Sequence, residues 1–463
     1  MDGEPGSEDT VLIPTGYDPA SYPCVRSLGS RGVRTLLASE FDDVPASASR
    51  FCDEVTRVPA PGDDLLAYKD ALVGLAARPD VRTVVPIRPA DTYVLSKFRE
   101  EFERYVTLVV PEMETMRTVH DRVRLAAACE EAGVPVPRTR RLGEMDDWSG
   151  QHIIKSRYNI LVDEYMPEYE PGENRVVKDV THVRQGDTPD TDELVERMGH
   201  EPIVQEFIPI EDEYMFAGLY DHGEPVATFQ HKQIRGNSYT GGGGVYRKSM
   251  YDQEMEDVAR KLLSHLDYHG IACIEYMKHA ETGEYVLTEI NPRMWQSLPS
   301  TVRAGADFPH YYWQLATGQK DRIEPGYELG VGSHLLYGEV GHLLSVLTDD
   351  SDLVERPSFV RRAWEIAASC YDEPKFDILR FDDPAPFLRG VAHMLPDGED
   401  LRGKLPFLGG RRRPGDDDGP ELGDGSEGAS ATVTVEADSD AAVDGTVPGQ
   451  SDESPTESVT SDD

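Results

Sequence analysis

The chain has 463 residues, which gives room for two or three domains and a large core. Its 86 Asp and Glu against 46 Lys and Arg leave a formal charge of -40, so a nucleic-acid partner is excluded unless a basic groove is set apart, and none shows. With 38% hydrophobic residues in periodic segments most of the chain is not disordered, and no stretch reads as a membrane span or an export signal.

In chain order, residues 1–10 read as an unstructured start. An α/β layer over 11–114 follows. Residues 11–14 form a short buried strand, 15–32 a turn into a helix, and 33–39 a second strand. A helix over 64–78 then leads to a strand over 82–88, and strand, helix, strand at this spacing predicts a parallel sheet. No GxGxxG follows the first strand, which removes a dinucleotide-binding reading.

A second unit, 115–204, opens on a helix over 115–133 that ends at Gly133 and Pro135. Strands follow over 136–142 and 152–158, and the acidic, Pro- and Gly-broken stretch 163–193 reads as a mobile excursion. A third unit, 205–328, contains a strand over 203–210 that crosses its boundary, then strands over 213–221 and 225–236 and a Gly-rich loop at 241–244. A helix over 252–267, a hairpin of 271–278 with 285–291, and a helix over 307–318 complete it. Residues 329–413 form a further segment without assigned chemistry, and 414–463 read as a disordered acidic tail.

The five Cys are scattered without a CxxC pair, which predicts reduced thiols in a cytosolic, unexported chain. Only 11 of the 46 basic residues are Lys, and with abundant Asp this fits a halophile's protein. At molar salt the Debye length is about 3 Å, so carboxylates crowd a surface without unfolding it.

Four clusters carry candidate chemistry. Glu275 and Glu289 sit on the two strands of one hairpin, so antiparallel pairing can set them side by side. Asn291 is two residues on from Glu289 and hence on the same face. Two facing carboxylates need a cation between them, and with an amide oxygen they form the hard donor set that Mg²⁺ takes. Arg293 can fork onto a phosphate or carboxylate oxygen. A solvated acidic hairpin is the competing reading.

Lys155, at the end of a strand, is a phosphate anchor or a snorkelling surface Lys. The strand 205-QEFIPIEDE-213 offers backbone groups to an adenine edge, or is any edge strand with free backbone groups. In 231-HKQIRGNSYTGGGG-244, Lys232 and Arg235 with four Gly make an anion loop or a flexible hairpin.

Taken in order, an α/β layer, a Lys-bearing strand, a QEF-I-P strand, a basic Gly-rich loop and Glu followed by E-x-N-x-R resemble the ATP-grasp superfamily. Within it they resemble the carboxylate–amine ligases related to the carbamoyl-phosphate synthase large chain. The resemblance covers about residues 11–320 and is most specific at 271–278 and 286–295. It implies a two-lobed ATP-grasp fold behind the parallel α/β domain. Lys155 would hold the α- and β-phosphates, with Glu206, Phe207 and Ile208 at adenine and Glu213 at the ribose. Glu275, Glu289 and Asn291 would bind Mg²⁺, or Mn²⁺ in its place. Arg293, helped by Lys232 and Arg235, would face the transferred phosphoryl group or the substrate carboxylate.

The implied chemistry is ADP-forming. A carboxylate attacks the γ-phosphate of ATP to give an acylphosphate, and an amine displaces phosphate. A non-catalytic nucleotide binder and a phosphotransferase on the same lobes are the rival readings. Small-molecule carboxylate and amine substrates are the implied partners, without nucleic acid or membrane, and the resemblance allows a homodimer. The sequence departs from the family twice. Arg122 stands where a Lys is usual. In place of a Gly-rich flap after Lys155 it has 156-SRYNILVDEYMPEYEPGEN-174.

Overall fold

The computed structural model describes residues 9–177, 179–350 and 354–394; the expected acidic tail over 414–463 lies outside the described residues. Strands β1 (Thr10–Pro14), β2 (Arg34–Ser39), β3 (Glu54–Arg57) and β4 (Val81–Val84) form a parallel sheet in the order β3-β2-β1-β4. Thr10 already pairs with Arg34, so β1 starts within the stretch expected to be unstructured. Every residue of β1 is buried, as a central parallel strand covered on both faces requires.

Helices α1 (Ser21–Gly29), α2 (Leu65–Ala76), α3 (Pro89–Lys97) and α4 (Arg99–Phe102) accompany this sheet. The expected strand over 82–88 stops at Val84 because Pro89 opens α3, with Asp91 Oδ2 accepting from Arg88 N at 2.7 Å.

The single helix expected over 115–133 is two helices, α5 (Met113–His120) and α6 (Arg122–Ala132). Asp121 breaks it: its backbone is extended and its carboxylate accepts from Val123 N at 3.0 Å. Arg157 holds the same carboxylate at 2.6 Å. The break makes Arg122 the first residue of α6.

Strands β5 (Thr139–Arg141), β6 (His152–Lys155), β7 (Leu161–Val162), β8 (Asn174–Arg175), β9 (Val180–Val183) and β10 (Ile203–Glu206) follow, with α7 (Thr191–Met198) before β10. Four of them make an antiparallel sheet, β5-β10-β6-β9, and β7 pairs with β8. The stretch expected as a mobile excursion is anchored instead. Ile160 and Val162 enter the core beneath the parallel sheet, Tyr93 Oη donates to Asp163 at 3.1 Å, and Arg117 pairs with Glu164 at 2.7 Å. Glu164 is thus the partner of Lys97 on α3 and Arg117 on α5, while Glu168, Glu170 and Glu173 stay exposed.

The third sheet is antiparallel and six-stranded. Its strands are β11 (Ile210–Asp221), β12 (Glu224–Ser238), β13 (Gly241–Met250), β14 (Gly270–His279), β15 (Tyr285–Asn291) and β16 (Gly332–His334), in the order β15-β14-β11-β12-β13-β16. Helix α8 (Gln253–His265) lies with α6 over one face, where Leu262, Leu263, Ile274 and Leu287 are fully buried. The opposite face shares a core with β1, α1, α9 (Leu298–Arg303) and α10 (Phe308–Ala316). Trp295 is fully buried there, edge-on to Phe308 at 5.1 Å between centroids, so its role is packing.

The Gly-rich stretch 241–244 is not a loop but the start of β13, with Ser238 opposite Gly241 and Gly236 opposite Gly244. A Cβ at Gly236 would come within 3.1 Å of the backbone oxygens of Gly241 and Gly242, so that glycine serves close strand packing. Residues 329–394 fold back onto the rest. After β16 come α11 (Leu336–Thr348), α12 (Phe359–Asp372) and α13 (Ala385–Met394). Arg389 pairs with Asp43 at 2.6 Å, Asp383 accepts from Ser49 Oγ at 2.6 Å, and Asp377 pairs with a fully buried Arg247 at 2.8 Å.

Candidate active site

A cleft lies between the four-stranded sheet and the β14–β15 edge of the six-stranded one. Glu275 and Glu289 are direct partners across the β14–β15 hairpin. Beyond them the register slips by one residue, so that Tyr276 faces Leu287 and Thr288 is left over. This β-bulge explains a pattern that period-2 alternation cannot. Leu287 and Ile290 both point into the helix-covered core, three residues apart, while Glu289 is released to the cleft. Thr288 stays at the cleft edge, its hydroxyl donating to Glu275 O at 3.2 Å.

Asn291 Nδ2 donates to Glu289 Oε1 at 2.8 Å. The strand exit is then pinned to the parallel domain: Thr92 Oγ1 donates to Pro292 O and Met294 N to Pro86 O, both at 3.0 Å. Between these two ties sits Arg293, 6% exposed, with Nη1 donating to Met294 O at 3.0 Å.

Facing this hairpin is the small antiparallel sheet with α6. Lys155 ends β6, opposite Ile203 on β10 and Val180 on β9. Arg122, at the start of α6, donates to Ser156 O at 3.0 Å and ion-pairs with Glu289 Oε2. The Asp121 break is what turns Arg122 to the cleft.

Charge at the centre is tightly coupled. Burial, and then the neighbouring Arg122, bring the Lys155 ammonium down to about 8, against the pull of Glu289 and Glu275. Burial alone would raise Glu289, but Arg122 and Lys155 outweigh it and hold the carboxyl below the usual range. Behind them His120 is fully buried, its Nδ1 3.2 Å from Tyr165 Oη and its Nε2 without a hydrogen-bond partner. Burial and then Arg122 push it down to about 3, so it is a neutral imidazole.

Of the twelve residues singled out in the sequence, eight line this cleft: Arg122, Lys155, Glu206, Ile208, Glu275, Glu289, Asn291 and Arg293. Four do not. The Phe207 N–H is taken by Gln151 O at 3.1 Å. Glu213 on β11 accepts from Gln233 Nε2. Lys232 pairs with Asp212 at 2.5 Å and lies over the Tyr214 ring.

Arg235 is drawn the other way altogether. It is buried against α11 with Nη1 2.7 Å from both oxygens of Glu339, which His334 Nδ1 approaches at 2.8 Å. Together with the strand character of 241–244, this removes the anion loop expected over 231–244. Within Glu206 itself, the side chain accepts from Arg138 N at 2.8 Å.

Sequence reasoning passed over Ser156, Asn159, Asp179 and Thr288, all of which line the cleft. Asn159 Nδ2 donates to Ile290 O at 3.4 Å and its buried Oδ1 has no partner. It falls in the 156–174 stretch that departs from a Gly-rich flap. The signal available was one of two amides, Asn159 and Asn174, in an otherwise acidic and aromatic run.

The donor set suits a divalent cation: two carboxylates in register and one amide oxygen, all hard oxygen ligands. Taking a cation there requires Arg122 to give up Glu289 Oε2 or share it.

The profile described as carbamoyl-phosphate synthase L chain, ATP binding domain, matches residues 247–323, the part that carries the β14–β15 hairpin. No curated protein sequence matches the chain. Solved structures do. The N5-carboxyaminoimidazole synthetase of Staphylococcus aureus, complexed with ADP, is 14% identical with a TM-score of 0.51, over 70% of this chain and 80% of that one. The carboxyaminoimidazole ribonucleotide synthase of Aspergillus clavatus, complexed with ATP, is 17% identical with a TM-score of 0.52, over 71% and 81%. The biotin carboxylase domain dimer of Hydrogenobacter thermophilus 2-oxoglutarate carboxylase, in complex with MgADP, ADP and bicarbonate, is 14% identical with a TM-score of 0.52, over 70% and 73%. The fold is the ATP-grasp fold, with a parallel α/β domain before it. No helix among the described residues is long and apolar enough to cross a membrane.

Proposed function

We propose that the chain is an ATP-dependent ligase that activates a carboxylate as its acylphosphate and couples it to an amine, releasing ADP and phosphate. The observation that carries this reading is the in-register pair Glu275–Glu289, with Asn291 and Arg293 beyond it, facing Lys155 and Arg122 across one cleft. Phosphoryl transfer needs positioning and charge neutralisation more than a dedicated base, and these groups supply both.

In this reading Lys155 and Arg122 take the phosphate chain, while Ile208 and the backbone at Glu206 border the adenine. Arg293, rigid between its two backbone ties, meets the transferred phosphoryl group or the attacking carboxylate. A Mg²⁺ ion held by Glu275, Glu289 and Asn291 would neutralise charge on the phosphate oxygens. Arg122 is then freed from Glu289 to turn onto the phosphates. The test is ADP release measured across panels of amino acids and small acids, with and without amines. ADP formation that requires both a carboxylate and an amine is the expected result.

A second reading, nucleotide binding without turnover, is favoured by one feature. The 156–174 stretch lies against the parallel domain through Ile160 and Val162 instead of supplying a Gly-rich cover. Binding of ATP without ADP release on any substrate pair would decide for it. ADP release that needs a carboxylate but no amine would decide for a phosphotransferase.

A further inference from the structure

A second cavity, about 290 Å³, shares no lining residue with the cleft. Its walls are α1, α9 and the segment after Phe376. Tyr22, Arg26, Ser30 and Arg31 come from α1 and its end, Val302 and Gly305 from α9 and its end, and Asp377 and Arg380 from the returning segment. We propose that this cavity binds a small dianion, a phosphate or a dicarboxylate, between the guanidinium groups of Arg380 and Arg26.

The argument starts from charge. In a chain of net charge -40, a cation without a carboxylate partner is out of character. Arg26 is paired with Asp382 at 2.6 Å and Arg31 with Asp307 at 2.7 Å. The two acids on the wall are spoken for, Asp307 by Arg31 and Asp377 by Arg247 at 2.8 Å. The Arg380 side chain makes no ion pair or hydrogen bond among the described residues, and its Nε is buried without a partner. Arg26 Nη1 is likewise buried without a hydrogen bond, its closest carboxylate oxygen being Asp383 Oδ2 at 3.8 Å.

Behind them Arg303 spends its guanidinium on the carbonyls of Phe376 at 2.6 Å and Leu379 at 3.0 Å, with no carboxylate. Burial, and then the nearness of Arg380, bring Arg303 down to about 10, and Arg380 is lowered by burial and by Arg26. Arg26, Arg303 and Arg380, from three different elements, thus lie close together, while the acids nearest Arg380, Asp382 and Asp377, are already paired with Arg26 and Arg247. A buried guanidinium left without a counter-charge is costly, so the arrangement fits an oxyanion in the cavity that accepts from the unpaired Nη groups of Arg380, with Arg26 alongside on the facing wall. The volume is near the lower end for ligand pockets, which suits a small dianion and not a nucleotide. The inference is independent of the ligase reading.

The test uses the full chain in chloride buffer at fixed ionic strength. Its melting temperature is followed against inorganic phosphate and, separately, succinate. A saturable rise with at least one of the two is expected; it persists in Lys155→Met, which alters the cleft, and the apparent affinity falls at least tenfold in Arg380→Gln. Whether phosphate, succinate or both act identifies the ligand class. Without added dianion, Arg380→Gln should melt no lower than the parent, because it removes an uncompensated buried charge. No saturable rise with either anion, a rise undiminished in Arg380→Gln, or a clearly lower melting temperature of that variant in chloride would each overturn the proposal.

Discussion

Replacing Glu289 by Gln keeps the shape of the side chain and removes one charge from the centre of the cleft. Both members of the Arg122–Glu289 pair are nearly buried, with side chains 11% and 10% exposed. Breaking a buried pair by removing one partner costs about 3–5 kcal/mol, because the other charge is left uncompensated. Arg122 keeps the Ser156 carbonyl at 3.0 Å, and a glutamine oxygen still accepts one hydrogen bond. The loss is therefore expected at the low end, about 3 kcal/mol at pH 7.

The pH dependence has a definite sign. The folded protein holds the Glu289 carboxyl below its ordinary value, so its contribution is complete above the unfolded pKa of about 4.3 and fades as pH falls through the lower folded value. Urea unfolding of parent and Glu289→Gln at pH 7 and in a series below pH 5 measures this. The gap should be widest at pH 7 and close in acid. In parallel, Mg²⁺-dependent ADP release should fall at least about 100-fold in the variant. A gap that stays constant with pH would refute the charge argument. Undiminished ADP release would refute the assignment of the site.

Lys155→Met should stabilise the protein by about 1–3 kcal/mol at pH 7, since a group brought down to about 8 opposes folding while it is protonated. The same variant should weaken ATP binding, and in the parent the KM for ATP should climb as pH rises past about 8; calorimetry and a pH series check both. Arg235→Met and Glu339→Gln should each cost about 3–5 kcal/mol by urea unfolding, and the double variant should recover part of that, because the pair is buried on both sides. Asp121→Ala should cost about 1–2 kcal/mol through the lost cap of α6, as measured by thermal melting. Asp121→Asn should retain most of the cap and lose the Arg157 Nη2 hydrogen bond to Oδ2.

What the sequence exposed best was chemistry tied to strand period. Glu275 opposite Glu289 follows from a short hairpin, and Asn291 and Arg293 follow at two-residue steps. Helix ends with Pro and Gly signals, such as Gly133, were legible for the same local reason. The break at Asp121 was not, because the apolar spacing runs through it and only the tertiary contact with Arg157 makes extended backbone worthwhile there.

The 231–244 stretch misled for a related reason. Lys and Arg near glycines look alike whether they meet a ligand or a neighbouring acid, and the acids concerned, Asp212 and Glu339, are 20 and 104 residues away. The bulge at Thr288 could be inferred only by asking which face Leu287 and Ile290 must share. The anchoring of the excursion after Lys155 at Glu164 was not legible because its partners, Lys97 and Arg117, lie on helices far back in the chain.

The return of residues 376–394 onto the first domain has a consequence for how the molecule is made. Arg247, almost wholly enclosed, meets its counter-charge among the described residues only in Asp377, and Ser49 and Tyr22 wait for Asp383. These contacts cannot form until the late residues have left the ribosome. Closure over such a separation is entropically demanding, so the last step of folding should be slow and the nascent protein dependent on chaperones until it is complete. A chain cut short before Asp377 would carry a stranded cation in its interior and should be less stable for it.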